Sequence, residues 1–178
     1  RAGNAIGGGD WSANRLIPDA LRAFSEKRPL AVRHPAAVRP WQHVLDALAG
    51  YLVLAEGLHA HRYELADAWN FGPAEAATHS VADVLHELVR LWGGAAAWTT
   101  DPTPSRHEAA VLRLDATKAI SLLGWYPRWS LGEALAMTVE WHRAYAQGGD
   151  MAAISRQQIA RHRQTSDKPM QTKPVTLR

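Results

Sequence analysis

A Ser or Thr followed three residues later by an acid is the pattern of a capping box. The hydroxyl takes the amide of the third helical residue, and the carboxylate takes the amide of the cap itself. Two such pairs, Ser80 with Asp83 and Ser130 with Glu133, stand in front of amphipathic stretches and fix where helices must begin. The first predicts a helix to Trp92 that Gly93 stops, and the second a helix to about Tyr145. Between and before them the apolar spacing predicts a helix over 17–27, with Leu16, Ile17, Ala20, Leu21 and Phe24 on one face. Another runs over about 43–60, opened by Pro40 and Trp41, with Val44, Leu48, Tyr51, Leu52, Ala55 and Leu58 in phase. Asp115 caps a short helix through Leu123 that ends at Gly124, and Ser155 starts a last one. Short β-like stretches fall at 1–6, 30–33, 68–71, 95–99 and 111–114, with a Pro-rich loop over 102–106. Helices alternating with short strands give an α/β chain, with too few strands for a complete parallel sheet.

Composition narrows the classes further. The 178 residues are 47% hydrophobic, but 32 of those are Ala, which leaves the larger apolar side chains enough for one modest core. No uncharged run exceeds the ten residues 91–100, too short for a membrane-spanning helix. The absence of Cys excludes a disulfide scaffold and thiolate metal sites and points to a reducing, cytoplasmic setting. The net charge of +3 and pI of about 9.5 suggest a nucleic-acid partner until the charge is located. Residues 151–178 hold six bases (Arg156, Arg161, Arg163, Lys168, Lys173, Arg178) against Asp167, whereas 1–150 hold 14 bases and 16 acids. The body is slightly acidic and the tail basic, which predicts a solvated terminus, with residues from Lys168 onward disordered. No element interleaves bases with aromatics as a nucleic-acid platform would.

The missing motifs are informative. Gly7-Gly8-Gly9 fails the dinucleotide pattern G-x-G-x-x-G because position 12 is Ser, and no Gly-Lys-Ser/Thr follows it. The triplet reads instead as a flexible turn at a strand end. No G-x-S-x-G elbow and no H-E-x-x-H exist, and His59 and His61 fall at a helix end, where solvent rather than metal is expected. Tyr51, Tyr63, Tyr126 and Tyr145 are followed four residues on by Ala55, Asp67, Ser130 and Gly149, so there is no Tyr-x-x-x-Lys dyad. The chain carries no self-sufficient catalytic constellation.

Binding chemistry is better represented. Asn4 follows the first strand, Arg39 precedes Pro40-Trp41, Asn70 lies in Trp69-Asn70-Phe71-Gly72, and His107-Glu108 sit in the Pro-rich loop. Arg offers phosphate a planar fork with permanent charge, and Asn offers a hydroxyl or pyrophosphate oxygen both a donor and an acceptor. The stretch Arg1-Ala2-Gly3-Asn4-Ala5-Ile6-Gly7-Gly8-Gly9-Asp10-Trp11 resembles the strand and loop after the catalytic helix of extended short-chain dehydrogenases. Arg15-Leu16-Ile17-Pro18, Arg39-Pro40-Trp41-Gln42-His43-Val44 and Trp69-Asn70-Phe71-Gly72-Pro73 then follow in that family's order. The block from Leu114-Asp115 through Leu123-Gly124-Trp125-Tyr126-Pro127, with Ser130-Leu131-Gly132-Glu133 behind it, marks sugar-nucleotide-modifying members. The Gly-Gly-Gly-Asp-Trp and Arg-Pro-Trp-Gln-His-Val versions are most similar to those of CDP-glucose 4,6-dehydratases.

The resemblance covers about residues 1–147. It implies a Rossmann-type α/β fold of which this chain is the helix-rich, C-terminal substrate-binding portion, with an incomplete sheet. Residues 1–150 would bind the nucleotide sugar and 151–178 would form a basic helical, then disordered, tail. The glycine-rich NAD loop and the Tyr-x-x-x-Lys dyad would lie in an N-terminal half. The implied cofactor is NAD, held mainly by that half, and the implied partner is CDP-glucose or a related nucleotide sugar within a homo-oligomeric parent. Carried over residue by residue, Asn4 meets the sugar or phosphate, and Arg15, Leu16 and Arg33 lie by the base. Arg39 binds the pyrophosphate, Asn70 meets the nucleotide, and His107 and Glu108 meet the sugar from the late loop. Two other readings stand beside it: another sugar-nucleotide enzyme of the same fold, such as a dTDP-glucose dehydratase or an epimerase, and a non-enzymatic module that binds nucleic acid or a partner through the basic tail.

Overall fold

The computed structural model describes residues 1–73, 79–102 and 109–165. The predicted His107 and Glu108, the 102–106 loop beyond Pro102 and the tail from 166 onward lie outside these residues. Among the described residues the strands run β1 (Asn4–Ile6), β2 (Leu30–Val32), β3 (Val38–Arg39), β4 (Trp41–His43), β5 (His79–Ser80) and β6 (Trp98–Thr100). The helices are α1 (Leu16–Ser25), α2 (Val44–His59), α3 (Val81–Trp92), α4 (Thr117–Leu123), α5 (Leu131–Ala146) and α6 (Met151–Gln164). β1 pairs in parallel with β4, Asn4 opposite Trp41 and Ile6 opposite His43. β2 pairs in parallel with β6, and β3 runs antiparallel to β5. No described sheet exceeds two strands, as the scarcity of strand signals predicts.

Both capping boxes form. Ser80 Oγ accepts from the Asp83 amide and Ser130 Oγ from the Glu133 amide, while each carboxylate reaches back to its cap's N–H. The helices they open carry the main core. Val84, Leu85 and Leu88 of α3 and Ala134, Leu135 and Val139 of α5 are buried against Ile17, Leu21 and Phe24 of α1. Ile6, Leu30, Val32 and Trp41 from the strands close the same core. A second, smaller core of Leu65, Trp69, Phe71, Ala119 and Trp125 lies where α2 meets α4.

Four predicted elements come out differently. The stretch 68–71 is a strand for one bridge only, Phe71 with Ala2, and 111–114 likewise pairs only through Val111 with Val38. Val111 and Leu112 are half exposed, so this segment has no face to bury and nothing to extend its ladder. Trp41–His43, read as a helix opening, is a strand instead. Pro40 disfavours helical backbone at Arg39 and leaves the following residues to pair with β1, all three buried. The last helix begins four residues before Ser155 because Asp150 caps it, accepting from the Ala153 amide at 2.9 Å. Ser155 instead accepts from the indole of Trp141 at 3.1 Å.

The orientation of α2 is the larger surprise. Its apolar stripe does not face the core: Leu48, Tyr51 and Leu52 are exposed, Leu52 at 63%, whereas Asp46, Ala47 and Gly50 are buried. Small residues allow the close approach. A Cβ on Gly50 would stand 2.3 Å from Phe71 Cδ1, so the helix backbone lies directly on that ring. Gly50→Ala should therefore overpack the second core and lower stability by about 1–3 kcal/mol. Denaturant titration of the variant measures this, and an unchanged midpoint would show that α2 can lift off Phe71 at no cost.

Candidate functional site

The carboxyl ends of β1 and β2 open toward the first turn of α1, and the space between them is a cleft of about 470 Å³. Crevices beyond the carboxyl ends of parallel strands are where α/β folds place ligands. Five of the eight predicted binding residues line it: Asn4 on β1, Arg15 and Leu16 at the start of α1, Arg33 just past β2, and Arg39 on β3. They come from four separate elements spanning 36 positions of sequence, which the main core gathers through Ile6, Ile17, Leu30 and Val32. Asn70 does not join them. It lies by the second core, and its amide donates to the Asp115 carbonyl at 3.1 Å, a bond that holds the entry to α4. His107 and Glu108 lie outside the described residues.

Arg39 is already engaged. Its Nη1 donates to its neighbour's carbonyl, Val38 O, at 2.8 Å and to Ala109 O at 2.9 Å. Those bonds fasten β3 to the chain at 109 and set the guanidinium plane. Arg15 donates to Ala5 O at 3.2 Å and pairs with Asp10 at 3.1 Å. These contacts link the loop after β1 to the start of α1.

The structure adds residues that the sequence did not single out. Asp10, Asp19, Trp41 and His142 also line the cleft. Partial burial works to raise the Asp10 carboxyl, but bonds from Ser12 and the charges of Arg15 and His142 outweigh it, so the group lies below its usual value. Burial pushes the His142 imidazole down, against the pull of Asp10. Beside them, Trp11 leans on Tyr145 with centroids 4.8 Å apart and on His142 at 5.1 Å, while Trp141 and Tyr145 stack at 7°. The only sequence signal for this cluster was the i, i+1, i+4 spacing of Trp141, His142 and Tyr145, which puts all three on neighbouring faces of one helix. Among the described residues no group of His, Asp or Glu is arranged to hold a metal ion.

The architecture matches solved enzymes that act on nucleotide sugars, and the fold is that of the extended short-chain dehydrogenases. UDP-glucuronic acid 4-epimerase from Bacillus cereus, solved with UDP-glucuronic acid and NAD, superposes with a TM-score of 0.69 at 18% identity, over 82% of this chain and 44% of that one. dTDP-glucose 4,6-dehydratase from Bacillus anthracis, solved with NAD, gives 0.66 at 19% identity, over 84% and 45%. UDP-glucose 4-epimerase from Stenotrophomonas maltophila gives 0.68 at 21%, over 84% and 48%. In sequence, the chain is similar to CDP-glucose 4,6-dehydratase of Salmonella typhimurium: 45% identical over 160 residues, 90% of this chain. The chain spans 45% of that relative's length. No protein-family model matches it.

Behind the cleft wall, β4 is anchored by buried polar groups. Asp46, fully buried, accepts from His162 Nε2 at 2.8 Å and from the Arg128 amide at 2.7 Å. Trp129 sets its ring edge-on to both His43 and His162, at 4.6 and 5.0 Å. His43, last residue of β4, accepts from the Leu45 amide at 3.2 Å through Nδ1, so it is neutral there. Burial pushes its imidazole down to about 4, with the Asp46 charge opposing and His162 adding to the drop. The unfolded chain then binds a proton at this histidine near pH 6.5 that the folded chain refuses until about pH 4. Stability from this group is complete above pH 6.5 and is lost as pH falls toward 4, up to about 3 kcal/mol. Melting temperatures between pH 7 and 4.5 should fall more steeply for the parent than for His43→Gln. Parallel slopes would show that His43 does not titrate in this range.

Proposed function

We propose that this chain is the nucleotide-sugar-binding portion of an NAD-dependent sugar-nucleotide 4,6-dehydratase that converts CDP-glucose to CDP-4-keto-6-deoxyglucose. The observation that carries this reading is the single cleft into which β1, α1, β2 and β3 deliver Asn4, Arg15, Leu16, Arg33 and Arg39. A cleft beside parallel strands with guanidinium groups in its wall suits an anionic nucleotide ligand, with Arg39 available to its pyrophosphate. The 45% identity to a CDP-glucose 4,6-dehydratase supports the choice of reaction. Residues 1–150 supply the binding surface. The basic segment after them begins with α6, which docks on α5 through Gln158 and Arg161. That docking favours an enzyme portion over a module that binds through a free tail. Asn4 meets the sugar or phosphate, Arg15, Leu16 and Arg33 surround the base, and Arg39 clamps the pyrophosphate. His107 and Glu108, which are not among the described residues, stay in the proposal as contacts to the sugar, and Asn70, which does not line the cleft, as a contact to the nucleotide.

NAD supplies the hydride acceptor in such a reaction. The glycine triplet of this chain does not fit it. A Cβ on Gly8 would lie 2.0 Å from Trp141 Cγ, so the loop backbone is packed against an indole and leaves no cradle for a pyrophosphate. The triplet forms the turn at the end of β1 that its sequence suggested, with Gly9 at φ 79°, and packs it against Trp141. NAD therefore belongs with residues other than these. The work of this chain is to bind and orient the nucleotide sugar and to keep water from its sugar end.

Two outcomes test the reading. The 178-residue chain, given CDP-glucose and NAD, should form no 4-keto-6-deoxy sugar, because it has no Tyr-x-x-x-Lys dyad and no dinucleotide loop. A product signal by NMR would refute that division of labour. The chain should nonetheless bind CDP, and Arg39→Ala should weaken it tenfold or more, a loss of about 1.4 kcal/mol. Arg39→Lys should recover only part of this, since it keeps the charge but loses the fork. Because Arg39 also fastens β3, calorimetry is run well below each variant's melting temperature. An affinity for Arg39→Ala within threefold of the parent removes Arg39 from the site.

A further inference from the structure

The loop after β1 and the first turn of α1 face each other across the part of the cleft that the proposed function gives to the base, and their charged groups meet there. Asp10 Oδ2 lies 3.1 Å from Arg15 Nη1, and Oδ1 accepts the Ser12 amide at 3.0 Å. Arg15 spends a second hydrogen, on Nη2, at Ala5 O, 3.2 Å away. A carboxylate has about four acceptor positions and a guanidinium five N–H donors. Each partner thus keeps capacity beyond the bond that holds it to the other. The result is an acceptor fixed beside donors, both on the cleft wall next to Leu16. The other carboxylate on that wall, Asp19, is paired with Arg22 at 2.9 Å.

This arrangement discriminates between pyrimidines. The pairing edge of cytosine presents an amino group, then a ring nitrogen and a carbonyl that both accept. It needs one acceptor beside donors, which is what Asp10 and Arg15 present. Uracil and thymine put a carbonyl oxygen where cytosine has its amino group. A carboxylate facing that oxygen sets two acceptors together with no hydrogen between them, and a polar group that loses its water on binding without gaining a partner is penalised more than a made bond is rewarded. Burial works to raise the Asp10 carboxyl, but the bonds from Ser12 and the Arg15 charge outweigh it and hold the group below its usual value, so it is ionised, hence purely an acceptor, at neutral pH.

Resting on the reading of the cleft as a nucleotide-sugar site, we propose that Asp10, braced by Arg15, is the residue that selects cytosine over uracil, its carboxylate accepting from the exocyclic amino group while Arg15 donates to the ring nitrogen and carbonyl. The test titrates CDP and UDP separately into the 178-residue chain, Asp10→Asn and Asp10→Ala by calorimetry and compares the ratio of affinities. The ratio is independent of how much of each preparation is folded, because the competent fraction scales both nucleotides alike. The parent should prefer CDP at least tenfold. Asp10→Ala, which removes the acceptor, should bring the preference below threefold. Asp10→Asn, whose amide turns to donate to the uracil carbonyl, should bring it below threefold or reverse it. If either variant weakens both nucleotides together and keeps a preference above threefold, Asp10 only braces Arg15 and the assignment is overturned. A parent that binds both nucleotides with less than tenfold preference overturns the assignment and leaves the nucleotide-sugar reading standing. A parent that binds neither overturns both.

Discussion

A single buried carboxylate holds the parts of this structure together. Asp46 sits in the first turn of α2, where its charge favours the helix N-terminus, yet its bonds run outward to groups more than 80 positions away. Through Oδ1 it fixes the Arg128 amide, and hence the turn before the second capping box, and it fixes His162 on the last helix. The Asp46 main-chain carbonyl meanwhile accepts from the indole of Trp125 at 3.0 Å. One residue thus joins α2, the 125–130 turn and α6, and through His43 it bears on the strand whose Trp41 faces the cleft. Removing one partner of a buried charge leaves the other uncompensated, typically at a cost of about 3–5 kcal/mol. Oδ1 is solvated by the Arg128 amide and His162, while Oδ2 is buried without a hydrogen-bond partner, so the two bonds at Oδ1 carry the whole burden.

Much of the fold was legible because it is punctuated locally. Ser80, Asp83, Ser130 and Glu133 make their boxes within four residues, and Gly124 ends α4 in the left-handed region at φ 64°. Such signals need no knowledge of the rest of the chain. What was not legible depended on distant partners. The stripe of Leu48, Tyr51 and Leu52 has the spacing of a core face, and only the position of Phe71 shows that the Gly50 side is the one that packs. Periodicity reveals that a helix is two-sided, but not which side the fold will cover. Trp41–His43 failed for the same reason, since only β1 turns it into a strand.

The site was legible to a similar degree. Asn4, Arg15, Leu16, Arg33 and Arg39 could be named from motif order and do line one cleft. Asp10 and His142 could not, because an acid in a glycine-rich turn and a histidine in an amphipathic helix each have ordinary structural explanations. They acquire meaning from neighbours: Arg15 and Ser12 for Asp10, and Trp11 with Trp141 for His142. The glycine triplet shows the converse. Its composition suggested either mobility or phosphate contact, whereas its lack of side chains makes room for Trp141. That packing sets the path of the chain into Asp10 and so positions the acceptor at the rim of the cleft.

Charge follows the same logic of placement over total. The chain as a whole is basic, but its excess lies after residue 150, and the body that contains the cleft has more acids than bases. Attraction for a phosphate must then come from a few guanidinium groups whose position is controlled, and Arg39 shows how that control is achieved. Both hydrogens of its Nη1 are given to main-chain carbonyls, at Val38 and Ala109. Such bonds could be taken as evidence that the residue is merely structural. Energetically they act the other way. A long side chain that must be immobilised on binding costs roughly 0.5–1.5 kcal/mol, and one already fastened by its own backbone has met that cost during folding. The bonds that hold Arg39 to β3 are therefore compatible with a clamp and would make it a stronger one.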